Sequence, residues 1–384
     1  MEKQRKIEIL QDLIRIPSVN DGELKVAEYV KHLFSQYGIE SKIIPYNDTR
    51  ANLVAEIKGN EPGPVLAFSG HFDVVEAGNP DDWSTPPFEA TIQGDTMIGR
   101  GTSDMKMGVA GMLIAMIEMK ESGANFPGTI RFLGTVGEEI GMLGSQQLAK
   151  EGYMDDVDAL LISEPTGKMT YTAQKGSLQY KIVSTGKAAH SSIPEEGINS
   201  ILPIVDFIAR GEKVMQDAHD NYENDQLGRL TNAFTVIDGG DQINSIPAQT
   251  TLLGNARTIP EYDNDRVAKD FEDIIADIQK DYDGTIEFIP TQSAAPVVAP
   301  IDSDLVRAIL KHMGSDTEVA ALSGATDASM FLKNRDDVEF AIFGLAETKW
   351  AHKVDEQISV SDYLDSTVLY QKIAKSYFEA KQAK

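Results

Sequence analysis

The sequence comprises 384 residues, of which 41% are apolar and 25% charged, so it can bury a substantial core and is long enough for more than one domain. Sixty acidic against 35 basic residues give a formal net charge of −25, which would repel nucleic acid and anionic membranes, and we expect neither as a partner. There is no cysteine, so disulfides, thiolate metal sites and cysteine nucleophiles are excluded, and any metal must be held by His, Asp or Glu.

The first elements are two amphipathic helices followed by strands. Apolar residues at helical spacing predict one helix that ends near Ile16-Pro17 and a second that ends at Gly38. Strands are predicted over residues 42–45 and 52–57. No apolar stretch approaches the ~20 residues that cross a bilayer, and the N-terminal pattern is not that of a secretory signal. We therefore expect a cytoplasmic location.

Four later apolar strands are each followed by a side chain able to bind a metal ion. Strands are predicted over residues 65–68, 129–135, 159–163 and 338–343, and the side chains that follow them are those of His71, Glu139, Glu164 and His352. Asp104 lies where a strand-like segment meets a predicted helix over residues 108–121. Alone, each of these would more often be an ordinary strand end, a helix cap or a solvated loop. Together they predict a ligand site at the carboxyl edge of an α/β sheet.

This donor set indicates a particular metal chemistry. Two histidines and three carboxylates suit a pair of divalent cations such as Zn²⁺, for which Co²⁺ or Mn²⁺ can substitute. A dinuclear site needs a shared carboxylate, and Asp104 is the candidate. Because neighbouring side chains on an extended backbone point in opposite directions, Glu139 can coordinate a metal while Glu138 remains available as a general acid and base.

Five ordered motifs resemble those of the M20 family of metallopeptidases and deacylases. They are Gly70-His71-Phe72-Asp73-Val74-Val75, Gly99-Arg100-Gly101-Thr102-Ser103-Asp104-Met105-Lys106, Gly137-Glu138-Glu139-Ile140-Gly141, Ser163-Glu164-Pro165 and Ala351-His352. The resemblance runs nearly end to end, with a departure at Met107, where the family usually has glycine. It implies that His71, Asp104 and Glu164 bind one zinc ion and that Asp104, Glu139 and His352 bind the other. It further implies that Asp73 orients His71 and that Glu138 is the general base.

The middle of the chain has a different pattern. Predicted strands and helices alternate in the order β-α-β-β-α-β between residues 177 and 290, which is the ferredoxin-like arrangement. We therefore predict an α/β fold in which residues 1–176 and 291–384 form a zinc-peptidase-like catalytic domain with a mixed, mostly parallel sheet. Residues 177–290 would form an inserted lid or dimerisation domain, and the resemblance implies a homodimer paired through a sheet edge of this insert.

Several residues are assigned roles by the resemblance alone. His190 resembles the histidine that family dimers extend to the partner's active site, where it can stabilise an oxyanion. Without the resemblance, a histidine in a Gly/Ser-rich loop would simply be exposed. The residues that resemble substrate-binding positions of the family are Lys175, Asn244, Arg257, Gly324 and Thr326.

The resemblance also implies an activity, which is hydrolysis of the amide bond of a small N-acyl amino acid. Overall spacing and length resemble the family's branch of succinyl-diaminopimelate desuccinylase and acetylornithine deacetylase, and we expect N-succinyl-LL-2,6-diaminopimelate to be the substrate. Met330 occupies a position where desuccinylases carry arginine, so acetylornithine deacetylase, a broader N-acyl-amino-acid deacylase and a peptidase remain alternatives. A hypothesis from a different functional class is that the chain is an inactive, metal-free binding protein. The presence of all the expected metal ligands argues against this hypothesis.

Overall fold

The structure is a computed structural model that describes residues 1–123 and 125–383. The chain divides into two units, the first formed by Met1–Thr172, Ala299–Ala320 and Met330–Lys384, and the second by Ala173–Val298 and Ala321–Ser329. The helices are α1 (Lys3–Ile14), α2 (Glu23–Gln36), α3 (Met107–Glu121), α4 (Leu143–Lys150), α5 (Ile201–Asn221), α6 (Asn264–Ile278), α7 (Asp304–Met313), α8 (Ala328–Phe331) and α9 (Val360–Gln382).

The strands fall into longer sheet-forming segments and short pairs. They are β1 (Ser41–Pro45), β2 (Ala51–Lys58), β3 (Glu61–His71), β4 (Thr91–Gln93), β5 (Thr96–Ile98), β6 (Pro127–Thr135), β7 (Ala159–Ile162), β8 (Thr170–Gln174), β9 (Gly176–Thr185), β10 (Ala189–His190), β11 (Glu223–Asn224), β12 (Gly228–Arg229), β13 (Thr231–Gly239), β14 (Ser245–Ile246), β15 (Gln249–Thr258), β16 (Thr285–Ala294), β17 (Val297–Val298), β18 (Val319–Leu322), β19 (Glu339–Ile342) and β20 (Gln357–Ser359).

The first unit is built on a mixed sheet with a parallel centre. Its strands follow the order β1-β2-β6-β3-β7-β19-β8. β3 pairs in parallel with both β6 and β7, and β7 pairs in parallel with β19, whereas β1, β2 and β8 are antiparallel to their neighbours. The carboxyl ends of β3, β6, β7 and β19 therefore lie along one edge. The predicted α/β class with a mixed, mostly parallel sheet is confirmed.

Helix α3 is buried around nearly its whole circumference, as expected from a sequence that is apolar on every face. It packs against α9, and the two helices approach closely at Gly111. A Cβ atom there would lie 2.8 Å from the hydroxyl oxygen of Ser366 and 2.9 Å from the ring of Tyr370. This packing fixes the helix whose amino-terminal end follows the Asp104 segment.

A small antiparallel sheet brings two distant segments of the first unit together. It has the order β20-β5-β4, and Gln357 of β20 pairs with Ile98 of β5. The chain beyond His352 is therefore held beside the segment that leads to Asp104.

The second unit contains an antiparallel sheet in the order β13-β15-β9-β16, with α5 and α6 packed on it. Together with the order of the elements along the chain, this is a ferredoxin-like arrangement. The apolar stripe predicted on α6 is buried, and its Phe271 packs in edge-to-face geometry against Tyr180 and Phe207.

The limits of the second unit differ from those predicted. The unit begins at Ala173 and continues to Val298, because β16 stays paired with β9 as far as Ala294. It also includes Ala321–Ser329, since the side chain of Gln174 bonds Thr326 and Ser329. The second unit thus extends past the predicted boundary at residues 290 and 291, and it includes Gly324 and Thr326.

Within residues 1–123 and 125–383, no helix is both long and apolar enough to cross a membrane.

Candidate metal centre

His71 ends strand β3 with its side chain almost completely buried. Its Nδ1 lies 2.9 Å from the main-chain oxygen of Asp73. Because a carbonyl oxygen can only accept, Nδ1 carries the proton and donates it, which leaves Nε2 as the available ligand atom. Nε2 faces Asp104, and its distance to Oδ1 of that residue is 3.1 Å.

Asp104 lies between the two histidines of the predicted site. It belongs to an irregular segment before α3, where its φ of −121° and ψ of 98° depart from helical values. Its Oδ1 faces Nε2 of His71 at 3.1 Å, and its Oδ2 faces Nε2 of His352 at 3.2 Å. Each carboxylate oxygen thus points to a different imidazole, which is the arrangement that a bridging ligand requires.

Glu164 and Glu139 complete two groups around Asp104. Glu164 follows β7, and its Oε2 lies 3.9 Å from Nε2 of His71. Glu139 follows β6, and its Oε1 lies 2.8 Å from Nε2 of His352. The structure therefore brings the five predicted ligand residues close together around Asp104, and their division into two metal sites stays a prediction.

The close charges shift the pKa values of these groups. Burial opposes ionisation of Asp104, but hydrogen bonds from His352 and His71 hold its pKa well below the usual range. Hydrogen bonds to Asp104 and Glu139 raise the pKa of His352 to about 10. For His71, burial lowers the pKa, but the hydrogen bond to Asp104 and the charge of Glu164 outweigh it and raise the pKa well above its usual value. A cation would compete with protons for these nitrogens.

The side chain of Asp73 has a role that the sequence did not reveal. Its Oδ1 lies 3.6 Å from Nδ1 of His71, close enough to influence the ring. Its nearer partners, however, are main-chain amides: the N–H of Glu138 donates to Oδ1 at 3.2 Å, and that of Glu139 donates to Oδ2 at 3.1 Å. The fully buried Asp73 therefore fixes the turn that carries both glutamates.

Two further buried carboxylates brace the same loops, and sequence reasoning missed both. Glu23 on α2 accepts from Nε of Arg50 at 3.0 Å and from the N–H of Gly137 at 3.3 Å. Glu356 accepts from Arg100 and from main-chain amides of the Asp104 segment. Neither glutamate belongs to a recognisable sequence motif, so only the long-range hydrogen bonds identify them.

In the second unit, strand pairing places two predicted residues on adjacent loops. His190 pairs with Ser245 across β10 and β14, and the N–H of Ser191 donates to the main-chain oxygen of Asn244 at 3.0 Å. The His190 side chain is exposed. Its Nδ1 accepts from the N–H of Ser192 at 3.1 Å, so in the neutral ring Nε2 carries the proton and can act as a donor.

The other predicted substrate residues are also in the second unit. Burial lowers the pKa of Lys175, whose ammonium group donates to the main-chain oxygen of Arg229. Arg257 lies on β15 opposite Thr231 of β13. Thr326 is buried, and its hydroxyl donates to Oε1 of Gln174 at 2.7 Å. Gly324 is half-buried and lies two residues before Thr326.

The donors in the first unit suit divalent cations. His71, Asp104 and Glu139 each offer a ligand atom, and these atoms all lie within 4.8 Å of one another. The set consists of imidazole nitrogens and carboxylate oxygens, which are the ligands that borderline and harder divalent ions accept. The fixed proton on Nδ1 of His71 is also what a metal-binding imidazole requires.

Comparisons with known proteins show which family this chain resembles. Residues 67–376 match the family model described as "Peptidase family M20/M25/M40". A probable succinyl-diaminopimelate desuccinylase from Staphylococcus epidermidis is 43% identical over an alignment of length 409 that covers 99% of each chain.

Solved structures share the fold at lower identity. An M20 family metallo-carboxypeptidase from Sulfolobus solfataricus has a TM-score of 0.80 at 18% identity, covering 98% of this chain and 99% of the other. A dinuclear metal binding peptidase of the M20 family from Bacillus subtilis has a TM-score of 0.71 at 19% identity, with 98% of each chain covered. The prediction of a hydrolytic enzyme with these motifs is confirmed, and this chain belongs to the M20 peptidase family.

Proposed function

We propose that this chain hydrolyses the amide bond of N-succinyl-LL-2,6-diaminopimelate at a dinuclear metal site. The observation that carries the proposal is the position of Asp104, whose two carboxylate oxygens face two different histidines. The substrate is supported by the desuccinylase name of the relative with 43% identity along the whole chain. The cytoplasmic location remains a prediction.

Zinc is the cation that we propose for both positions, with Co²⁺ or Mn²⁺ as substitutes. His71, Asp104 and Glu164 would hold one ion, and Asp104, Glu139 and His352 the other. When bound, such ions lower the pKa of a water molecule toward neutrality and polarise the carbonyl group of the substrate.

Proton transfer is assigned to Glu138. Its main-chain amide donates to Asp73, and it is next in sequence to Glu139, whose carboxylate lies against His352. We propose that it takes a proton from the attacking water and returns that proton to the departing amine. The amide bond is then cleaved without a covalent intermediate.

His190 is the proposed donor to the oxyanion. The hydrogen bond from the N–H of Ser192 to Nδ1 leaves the proton of the neutral ring on Nε2, where it can be donated to a negatively charged oxygen. We propose that His190 serves the active site of a partner subunit and that substrate binding brings it into place. Lys175, Asn244, Arg257, Gly324 and Thr326 are the proposed contacts to the substrate.

The proposed homodimer is supported by an exposed apolar surface in the second unit. Strand β13 is the first in the sheet order, and its Val236 and Ile237 are 50% and 55% exposed. On α5, which contacts β13, Leu202 and Val205 are 65% and 53% exposed. A sheet edge with adjacent apolar side chains is suited to pairing with a second copy of itself.

The function is tested by comparing turnover of N-succinyl-LL-2,6-diaminopimelate, N-acetylornithine and several dipeptides with Zn²⁺ or Co²⁺ supplied. We expect kcat/KM for the succinylated substrate to exceed the others by at least about a hundredfold, because each acyl group is recognised by its own polar contacts. Preference for N-acetylornithine or for a dipeptide would replace the proposed substrate and leave the hydrolase assignment intact.

The dimer has its own test. We expect Val236→Lys combined with Leu202→Lys to shift the protein from dimer to monomer in light scattering after size-exclusion chromatography. Lys213→Glu, on the same helix α5 and in the same unit, is a control for altered surface charge. An unchanged dimer in the double variant would contradict pairing through this surface.

A further inference from the structure

Glu356 is completely buried against the loop that carries Asp104. Its Oε2 accepts from Nη1 of Arg100 at 2.6 Å and from the N–H of Gly101 at 3.0 Å. Its Oε1 accepts from the N–H groups of Ser103 and Asp104 at 2.8 and 2.9 Å. Each carboxylate oxygen therefore receives two donors, and one of the four is the main-chain amide of the proposed bridging ligand.

The loop needs an acceptor of this kind because its amides lie in an irregular turn that precedes α3. Gly101 has a φ of +83°, and Asp104 has an extended backbone. The regular hydrogen-bond pattern of α3 therefore does not extend back through this segment. Amides that are buried without an acceptor are costly. The carboxylate of Glu356 accepts hydrogen bonds from three of these amides, so a single side chain supplies the acceptor for the turn.

Glu356 is itself held firmly on two sides. Its main-chain oxygen accepts from the N–H of Gly99 at 2.8 Å, next to the pairing of β20 with β5. Its partner Arg100 also donates to the main-chain oxygen of Glu76 at 3.1 Å and lies over the ring of Trp83, 5.3 Å from its centroid. The carboxylate is thus placed by a rigid frame and not by a flexible surface chain.

We infer that Glu356 is a positioning residue of the metal centre, holding the main chain of Asp104 so that its two oxygens face His71 and His352. Glu356 touches neither histidine and acts only through Asp104. The inference rests on the proposed role of Asp104 as a bridging metal ligand and adds the residue that sets its orientation.

The test is Co²⁺ binding to the full-length protein after removal of metal, followed by visible absorption. We expect Glu356→Gln to bind Co²⁺ about 10- to 100-fold more weakly than the parent, with an altered cobalt spectrum, because residues behind metal ligands typically contribute that much to affinity. Glutamine keeps the size of the side chain but turns an N–H₂ group toward amides or the guanidinium, so at least one pair of bonds is lost.

Glu118→Gln is the matched control for loss of a partly buried ion pair. Glu118 lies at the far end of α3, and its carboxylate binds Lys6 and the terminal amine of Met1, each at 2.9 Å. We expect this variant to lower the unfolding temperature while leaving Co²⁺ affinity and spectrum unchanged. A purely structural role of Glu356 would give the same result as Glu118→Gln.

A folded Glu356→Gln protein with parental Co²⁺ affinity and spectrum would overturn the inference. If this variant does not fold, Glu356→Asp decides, because its shorter carboxylate keeps the charge but cannot reach both sets of donors. We expect it to bind Co²⁺ about threefold to tenfold more weakly, and parental affinity would again overturn the inference. Turnover of the parent is measured separately, so a wrong substrate would not be mistaken for a wrong role of Glu356.

Discussion

The proposed catalytic groups of the two units are held in very different ways. In the first unit, His71 and Asp73 are buried at the end of a central strand and bonded on several sides. In the second unit, His190 and Asn244 are exposed, and His190 belongs to a strand of two residues. Metal ligands must be in place before the metal binds, whereas a group that closes on the substrate must be free to move.

The rigidity of the first unit comes from buried carboxylates that accept main-chain amides. Glu23, Asp73 and Glu356 each bind the N–H groups of a loop that bears a proposed site residue. Burying such a charge is unfavourable by itself, and for Glu23 and Glu356 burial raises the pKa despite the opposing arginine. The same hydrogen bonds fix the backbone of these loops. The buried charges therefore lower the free energy of unfolding but hold the site residues in place before any ligand binds.

Metal removal should produce the largest effect and should affect the first unit alone. We expect a strong chelator to abolish hydrolysis and Zn²⁺ or Co²⁺ to restore it. The metal should stabilise the first unit by about 4 kcal/mol when its free concentration is 1,000 times the Kd. Activity and thermal unfolding with and without metal measure this. Full activity at vanishing metal content would contradict the proposed mechanism, and a metal-dependent transition confined to the second unit would contradict the ligand assignment.

Substituting Glu138 separates proton transfer from metal binding within the rigid unit. We expect Glu138→Gln to retain two metal ions per chain and to lose roughly 10²- to 10⁴-fold in kcat, the usual range for a general acid and base. Metal analysis and steady-state kinetics on the same preparation give both quantities. Turnover within tenfold of the parent would show that another group moves the proton.

Substituting His190 tests the exposed region. We expect His190→Ala to keep its metal content and to lose about 10²- to 10³-fold in kcat, as for removal of an oxyanion donor. Mixed dimers of His190→Ala and Glu138→Gln subunits should recover part of the activity, since one of their two sites would have both groups. Mixed dimers as inactive as either parent variant would argue against a role across the interface.

The two regions also differ in how far the sequence predicted them. The grouping of the proposed ligands could be predicted because His71 ends one apolar strand and Glu139, Glu164 and His352 follow others, and the carboxyl ends of parallel strands meet at one edge. Asp104 could be placed with them because it lies shortly before an apolar helix.

What could not be predicted depends on contacts between distant segments. Glu356 is one acidic residue among sixty acidic residues, and nothing local shows that β20 pairs with β5 and buries it. The position of Thr326 in the second unit likewise depends on its bond to Gln174, 152 residues away in sequence. The local sequence pattern therefore identified the residues at the ends of strands. The residues that support them, such as Glu356, depend on pairing between segments that are distant in sequence.

The smallest effect tests how the carboxylate of Asp73 contributes. Asp73→Asn keeps the size of the side chain but offers one oxygen where two main-chain amides now donate, so the turn at Glu138 and Glu139 should loosen. We expect kcat to fall about 10- to 100-fold, in the range typical of residues behind a metal site, with a smaller change in KM. Asp158→Asn is the control, since Asp158 accepts at 2.7 Å from the N–H of Val65, six residues before His71 on the same strand. If both variants lose activity equally, the effect belongs to the strand as a whole, and the rigid support assigned to Asp73 would have no special part in catalysis.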